Sequence, residues 1–151
     1  MVLVRNTQRS YRINIAQIKK QANSIVEFLG YKGFDLGIWF TTNKTIRAYN
    51  KQYRNKDKPT DILSFPAHPT LKAGERIVAQ NKDEKALGDL IISVEYVIKD
   101  APEWNQTVES RMTILLIHGI CHVLGYDHEL DSDYEIMHKE ETRILEFLKK
   151  S

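Results

Sequence analysis

The segment from Thr107 to Leu124, TVESRMTILLIHGICHVL, constrains this chain more than any other stretch. Past its first turn it is apolar on nearly every side, through Met112, Ile114, Leu115, Leu116, Ile117, Ile120, Val123 and Leu124. A surface helix carries one apolar stripe, whereas a helix that is apolar all round has to be enclosed by other elements. The pattern therefore predicts a central, buried helix. Two histidines, His118 and His122, lie on it, and His128 follows just after its end.

Residues four apart on a helix share a face, so His118 and His122 direct their rings to a common point. Gly125 can adopt the left-handed conformation that ends a helix, which lets the chain reverse and bring His128 to the same point. Buried imidazoles without a ligand would need a partner for every ring nitrogen. Three of them at this spacing point to a divalent metal, with zinc, one ion, the expected occupant. Nickel, copper and iron also suit an all-imidazole set. Three protein ligands leave one coordination position open, as in catalytic rather than structural sites. The spacing matches the zinc-peptidase pattern H-E-x-x-H-x-x-G-x-x-H, but Gly119 stands where those enzymes carry their water-activating glutamate. Cys121 lies about 100° around the helix from His122 and is expected in the core. His68 and His138 are expected at the surface, with His68 nearing the metal only if the loop that carries it folds over.

The remaining segments are shorter. At 151 residues the chain suits one domain, over residues 1–151. No run approaches the roughly 20 apolar residues of a membrane span, and no secretory leader is evident. A single cysteine allows no internal disulfide, so a reducing cytoplasm is the expected location. Residues 2–12 read as a strand. Asn14 can cap a helix with Ile15, Ile18, Ala22, Ile25 and Leu29 on its apolar side, stopped by Gly30. Leu36, Ile38 and Phe40 alternate with Asp35, Gly37 and Trp39, which predicts a strand with one buried face. Asn43 can cap a short helix through Tyr53, followed by a loop, RNKDKPT, and a strand at DILSFPA. The polar stretch 67–86 is long for a loop and is expected as a hairpin extension or a mobile flap. A strand, LGDLIIS (87–93), and a helical turn or two follow. Ser132 and Glu135 have capping-box spacing before a last helix carrying Met137, Ile144 and Leu148. The expected fold is a single compact α+β (mixed α/β) domain. It has about four strands in a sheet packed with four to five helices, and the metal-binding helix at its centre.

Net charge of +2 neither requires nor excludes a nucleic-acid partner; RNTQRSYR (5–12) and RNKDKP (54–59) are the basic stretches. Three motifs in order, YNKQYRNKDKPTDILSFP (49–66), LGDLIIS (87–93) and HGICHVLGYDH (118–128), make the chain resemble the YbeY family of metal-dependent endoribonucleases. The resemblance covers the chain from about residue 34 to its end. It implies a zinc ion on His118, His122 and His128, and a functional arginine at Arg54. Arg54 and His118 are then the expected catalytic residues. It further implies action on single-stranded RNA near the 3′ end of small-subunit ribosomal RNA, and a part in ribosome quality control. The implied partners are ribosomal RNA, the small ribosomal subunit and an Era-type GTPase. Gly88 and Asp89 are expected to position a core strand, with Asp89 in a structural hydrogen bond. Asp127 is expected to fix the loop or orient a ligand histidine, with a role as general base the alternative.

This resemblance makes the missing glutamate intelligible. Peptide hydrolysis needs a base for water and an acid for the amine. Scission of RNA needs cations against a phosphate whose charge grows in the transition state, and guanidinium suits that through paired hydrogen bonds. Either water or the ribose 2′-hydroxyl could be the nucleophile. A zinc peptidase fits the spacing but lacks the glutamate. The other reading is a non-catalytic, zinc-stabilised ribosome assembly factor, in which the metal serves folding.

Overall fold

The alternation of Leu36, Ile38 and Phe40 seats all three in the core from β2 (Asp35–Thr41) in the computed structural model, which describes residues 1–151. The strand β1 (Val2–Asn6) runs parallel to β2 on one side, and β4 (Ala86–Ser93) runs parallel to it on the other. The sheet is completed by β3 (Ile62–Pro66), antiparallel along the outer edge of β4, in the order β1-β2-β4-β3. Parallel neighbours need a crossover, and α1 (Ile15–Phe28) supplies the one between β1 and β2. On the opposite face of the sheet, α2 (Asn43–Arg54) packs Ile46 against Leu63 and Ile91. The short α3 (Val94–Asp100) leads from β4 towards α4 (Val108–Val123), and α5 (Asp131–Lys149) closes the chain. Four strands and five helices form one mixed α/β domain with α4 between the sheet and α5, as its all-round apolarity requires.

The helix ends follow side-chain chemistry. Asn14 accepts a hydrogen bond from Gln17 N, Gly30 follows α1 at φ +84°, and Thr107 caps α4 through Ser110 N. Thr42, not Asn43, caps α2, because the Asn43 carboxamide is engaged by Ser93 Oγ at 2.7 Å. The expected capping box at Ser132 and Glu135 does not form. The helix α5 begins at Asp131, so Ser132 lies within it, and Asp131 and Asp133 supply negative charge to the first turn. β1 stops at Asn6 rather than continuing to residue 12. The Gln8 carboxamide bonds Asn6 and both backbone groups of Tyr11, which curls the chain out of the sheet.

Residues 67–85 join β3 to β4 as the connection of a hairpin, without strands of their own, and are tied down rather than free. Ile77 is buried, and Arg76 stacks 4.2 Å from the Tyr31 ring centre while donating to Leu29 O and Gly30 O. Gly125, at φ +95°, meets this segment so closely that a Cβ there would stand 2.5 Å from Leu71 O.

The outer edge of β3 is partly engaged. Ser93 N bonds Asp61 O and Ala67 N bonds Leu87 O, so the alternation turns the backbone groups of Ile62, Ser64 and Pro66 outward. Ile62 N is held by its neighbour Asp61, Ser64 O accepts from Arg54 Nη2 at 2.8 Å, and Pro66 has no N–H.

Candidate metal centre and cleft

One turn of α4 places His118 and His122 on the same face, with Nε2 atoms 3.0 Å apart. After α4, Leu124 and the left-handed Gly125 turn the chain, and Tyr126 N returns to Cys121 O. This bend carries His128 back, with its ring centre 5.5 Å from that of His118 and 5.1 Å from that of His122. One nitrogen from each of the three rings lies within 4.8 Å of the others.

The outward nitrogens are occupied. His118 Nδ1 donates to Glu141 Oε2 at 2.8 Å, and His122 Nδ1 donates to Tyr126 O at 2.9 Å. Each bond fixes the tautomer and leaves the Nε2 lone pair directed into the site, which is the form that ligates metal. Burial, then His118, then His128, lower the pKa of His122 to about 4, so its imidazole is neutral at ordinary pH. Two lone pairs facing each other at 3.0 Å repel until a proton or cation lies between them. Tetrahedral zinc holds ligand nitrogens about 3.3 Å apart, so the donor set could hold such an ion.

Gly119 accounts for the absent glutamate in physical terms. A Cβ there would lie 2.8 Å from Ile62 Cδ1 and 2.9 Å from Leu90 Cδ2, with Leu90 fully buried. At this point α4 rests its backbone on β3 and β4, and no longer side chain fits.

Arg54 is the last residue of α2, not part of the following loop, because Asn55 ends the helix in the left-handed conformation at φ 59°. Its guanidinium sits 5.1 Å from the centre of the Phe65 ring and is steered by the bond to Ser64 O. An open cleft of about 1280 Å³ is lined by Arg54, Lys56 and Lys58 together with His118, His122 and His128. The structure thus brings the four expected site residues to one cleft. Asp127 also lines it and accepts from Glu129 N at 3.4 Å, which braces the loop. His68 borders the cleft, but its ring nitrogen is engaged with Glu84 O, and the cluster of possible metal ligands does not include it. His138 is exposed and Cys121 is buried, as expected. Burial, with Glu141 and then Glu140 adding to it, pushes the Cys121 thiol far above its ordinary range. Asp89 makes no hydrogen bond through its side chain; it is exposed on the sheet face away from α4, against Gly37.

Glu141 is the functional residue that motif reading misses, being 23 residues from its partner His118. A signal was present. Glu141 falls between Met137 and Ile144 at helical spacing, so a carboxylate occupies the inward stripe of α5. Nearby, Tyr126 OH donates to Glu140 at 2.9 Å, and Arg143 pairs with the same carboxylate at 2.6 Å.

A mixed α/β domain whose buried helix and following bend present three imidazoles to an open cleft edged by Arg54, Lys56 and Lys58 defines a candidate metal-site enzyme. The family model described as Endoribonuclease YbeY matches residues 3–149. Proteins named Endoribonuclease YbeY are similar across the chain: one from Homo sapiens is 36% identical, covering 97% of this chain and 87% of its own. One from Aquifex aeolicus is 37% identical, covering 99% and 93%. A solution structure from Thermotoga maritima shares the fold, with a TM-score of 0.60 at 22% identity over 99% of this chain and 93% of that one. The chain belongs to the endoribonuclease YbeY family.

Proposed function

We propose that this protein is a zinc-dependent endoribonuclease that cuts single-stranded RNA, acting on ribosomal RNA near the 3′ end of the small-subunit species and in ribosome quality control. The observation that carries the reading is the shared cleft: the imidazole triad and Arg54 line one opening, with Lys56 and Lys58 on its wall. The name its relatives carry, Endoribonuclease YbeY, supports the same activity. Ribosomal RNA, the small ribosomal subunit and an Era-type GTPase are its partners under this reading, in the cytoplasm.

When bound, a divalent cation supplies positive charge beside the phosphate and acidifies water. The residues of the chain supply the rest. Glu141 and the Tyr126 carbonyl hold His118 and His122 in the ligating tautomer. Arg54 gives one N–H to Ser64 O and another to Tyr53 O at 3.4 Å, and its remaining donors are available for the nonbridging oxygens of a phosphate. A guanidinium fixed in advance stabilises the charge that develops there without reorganising.

A peptide substrate finds less here. A peptide adding to the β3 edge would meet Ile62 N and Ser64 O already engaged and no N–H at Pro66. Substituting Arg54→Glu tests the proposal. Cleavage of a single-stranded RNA falls at least about 100-fold, while metal content and circular dichroism stay at wild-type levels. Persistent RNA cutting by that variant would remove the catalytic assignment.

A further inference from the structure

Four aromatic rings run across the sheet face opposite α4. Trp39 meets Tyr49 edge-on at 5.5 Å, Tyr49 stacks on Tyr53 at 5.9 Å, and Tyr53 meets Phe65 edge-on at 5.3 Å. A guanidinium closes each end, Arg5 at 4.3 Å over Trp39 and Arg54 at 5.1 Å over Phe65. The core beneath is already sealed by Ile46, Leu63 and Ile91, all buried. Tyr53 nevertheless remains 52% exposed, on the last turn of α2 beside Arg54. Such a large exposed ring adds little to folding.

We infer that Tyr53 and Phe65, beside Arg54, form a base-stacking subsite for single-stranded RNA that carries the strand out of the cleft onto the open half of the sheet. The inference rests on the endoribonuclease reading and deepens it. Ser64 and Pro66 line the cleft, whereas Phe65 between them points to the other face of the same strand. Because β3 is the sheet edge, a polynucleotide leaving the cleft has only that strand to round before it meets Phe65 and Tyr53. Every base has an apolar face, so a ring platform flanked by guanidinium groups accepts single strands without demanding a sequence. The charges favour this occupant: Arg5 and Arg54 attract phosphates at the two ends. Asp89, the register partner of Phe65, would repel a phosphate and so leaves that position to a base, whose N–H groups it can accept.

The test uses metal-loaded protein and a 12-nucleotide single-stranded RNA carrying 4-thiouridine. Tyr53→Ala raises KM about tenfold, within the range expected for losing one stacked base. The slope of log kcat/KM against log salt is unchanged, since a ring releases no counterions. Arg5→Ala flattens that slope by roughly 0.7, as the loss of one phosphate contact should. Tyr53→Leu, which keeps the packing on Phe65, raises KM likewise, and Tyr53→Trp retains the wild-type value. Photo-crosslinks map to Tyr53 or Phe65. Unchanged KM in Tyr53→Ala and Tyr53→Leu, with wild-type cutting intact, overturns the subsite and leaves the nuclease reading standing. Crosslinks at these rings without any cutting keep the subsite and remove the nuclease reading. A wild-type dimer that Tyr53→Ala dissolves would overturn the inference in favour of a second copy of the chain.

Discussion

The Glu141 carboxylate stands 2.8 Å from Nδ1 of His118, joining α5 to the ligand set of α4. A carboxylate in that place holds the ring in orientation and raises its basicity, and removing such a partner typically costs 10–100-fold in metal affinity. Glu141→Ala is therefore expected to weaken zinc binding by about that factor in a chelator competition titration. Glu141→Gln, which can still accept the bond through its carbonyl oxygen, should lose less. Equal affinity in all three proteins would show that Glu141 does not orient His118.

Metal removal should cost stability without unfolding the chain. The main core gathers 25 buried residues that do not depend on the ion. At 100 times its dissociation constant a ligand adds about 2.7 kcal/mol, so zinc should raise Tm by several degrees and EDTA should reverse the rise. His128→Ala, a change at an exposed loop position, should leave the metal-free Tm close to wild type and abolish the zinc-induced increase. An undiminished increase would remove His128 from the ligand set.

Substitution of Gly119 tests the close approach of α4 to the sheet. Alanine gains about 1 kcal/mol of helix propensity but presses its Cβ on Ile62 and the fully buried Leu90, and overpacking costs about 1–3 kcal/mol. Gly119→Ala should lose about 1 kcal/mol in urea denaturation. Gly119→Glu, which restores the peptidase pattern, adds an unpaired buried carboxylate and should lose more than about 3 kcal/mol, with no gain of proteolysis. A stable Gly119→Glu protein would refute the steric account.

Alkaline pH should expose the Tyr126 bond to Glu140. Burial first, and that bond second, push the phenol of Tyr126 up to about 12 from its ordinary 10.0. A group raised in the folded state stabilises fully below its unfolded value and loses that contribution as pH climbs through the folded one. Stability should therefore fall between about pH 10 and 12, and the fall should be shallower in Tyr126→Phe. Denaturation midpoints at several pH values measure the difference; parallel curves would contradict it.

The central helix, the triad and the reversing glycine were legible because their evidence is local: helical periodicity, a spacing of four, and one residue tolerant of positive φ. The strand at Leu36–Phe40 was legible for the same reason. Glu141 was not, since its partner is distant in sequence and only its place in an apolar stripe marked it. The order β1-β2-β4-β3 and the anchoring of residues 67–85 by Arg76 and Tyr31 depend on pairings between segments that no window contains. The missed caps have a common cause. Asn43 and Ser132 had suitable chemistry, but Ser93 claimed the first and the early start of α5 enclosed the second.

The interrupted outer edge of β3 has a consequence for the protein in concentrated solution. Growing chains and amyloid-like assemblies recruit new molecules through free N–H and C=O groups on a sheet border. Here a proline, a carboxylate and a guanidinium interrupt that border while the opening beside it stays accessible. The molecule can thus keep a wide mouth at the rim of its sheet while offering only a broken template to a would-be seed.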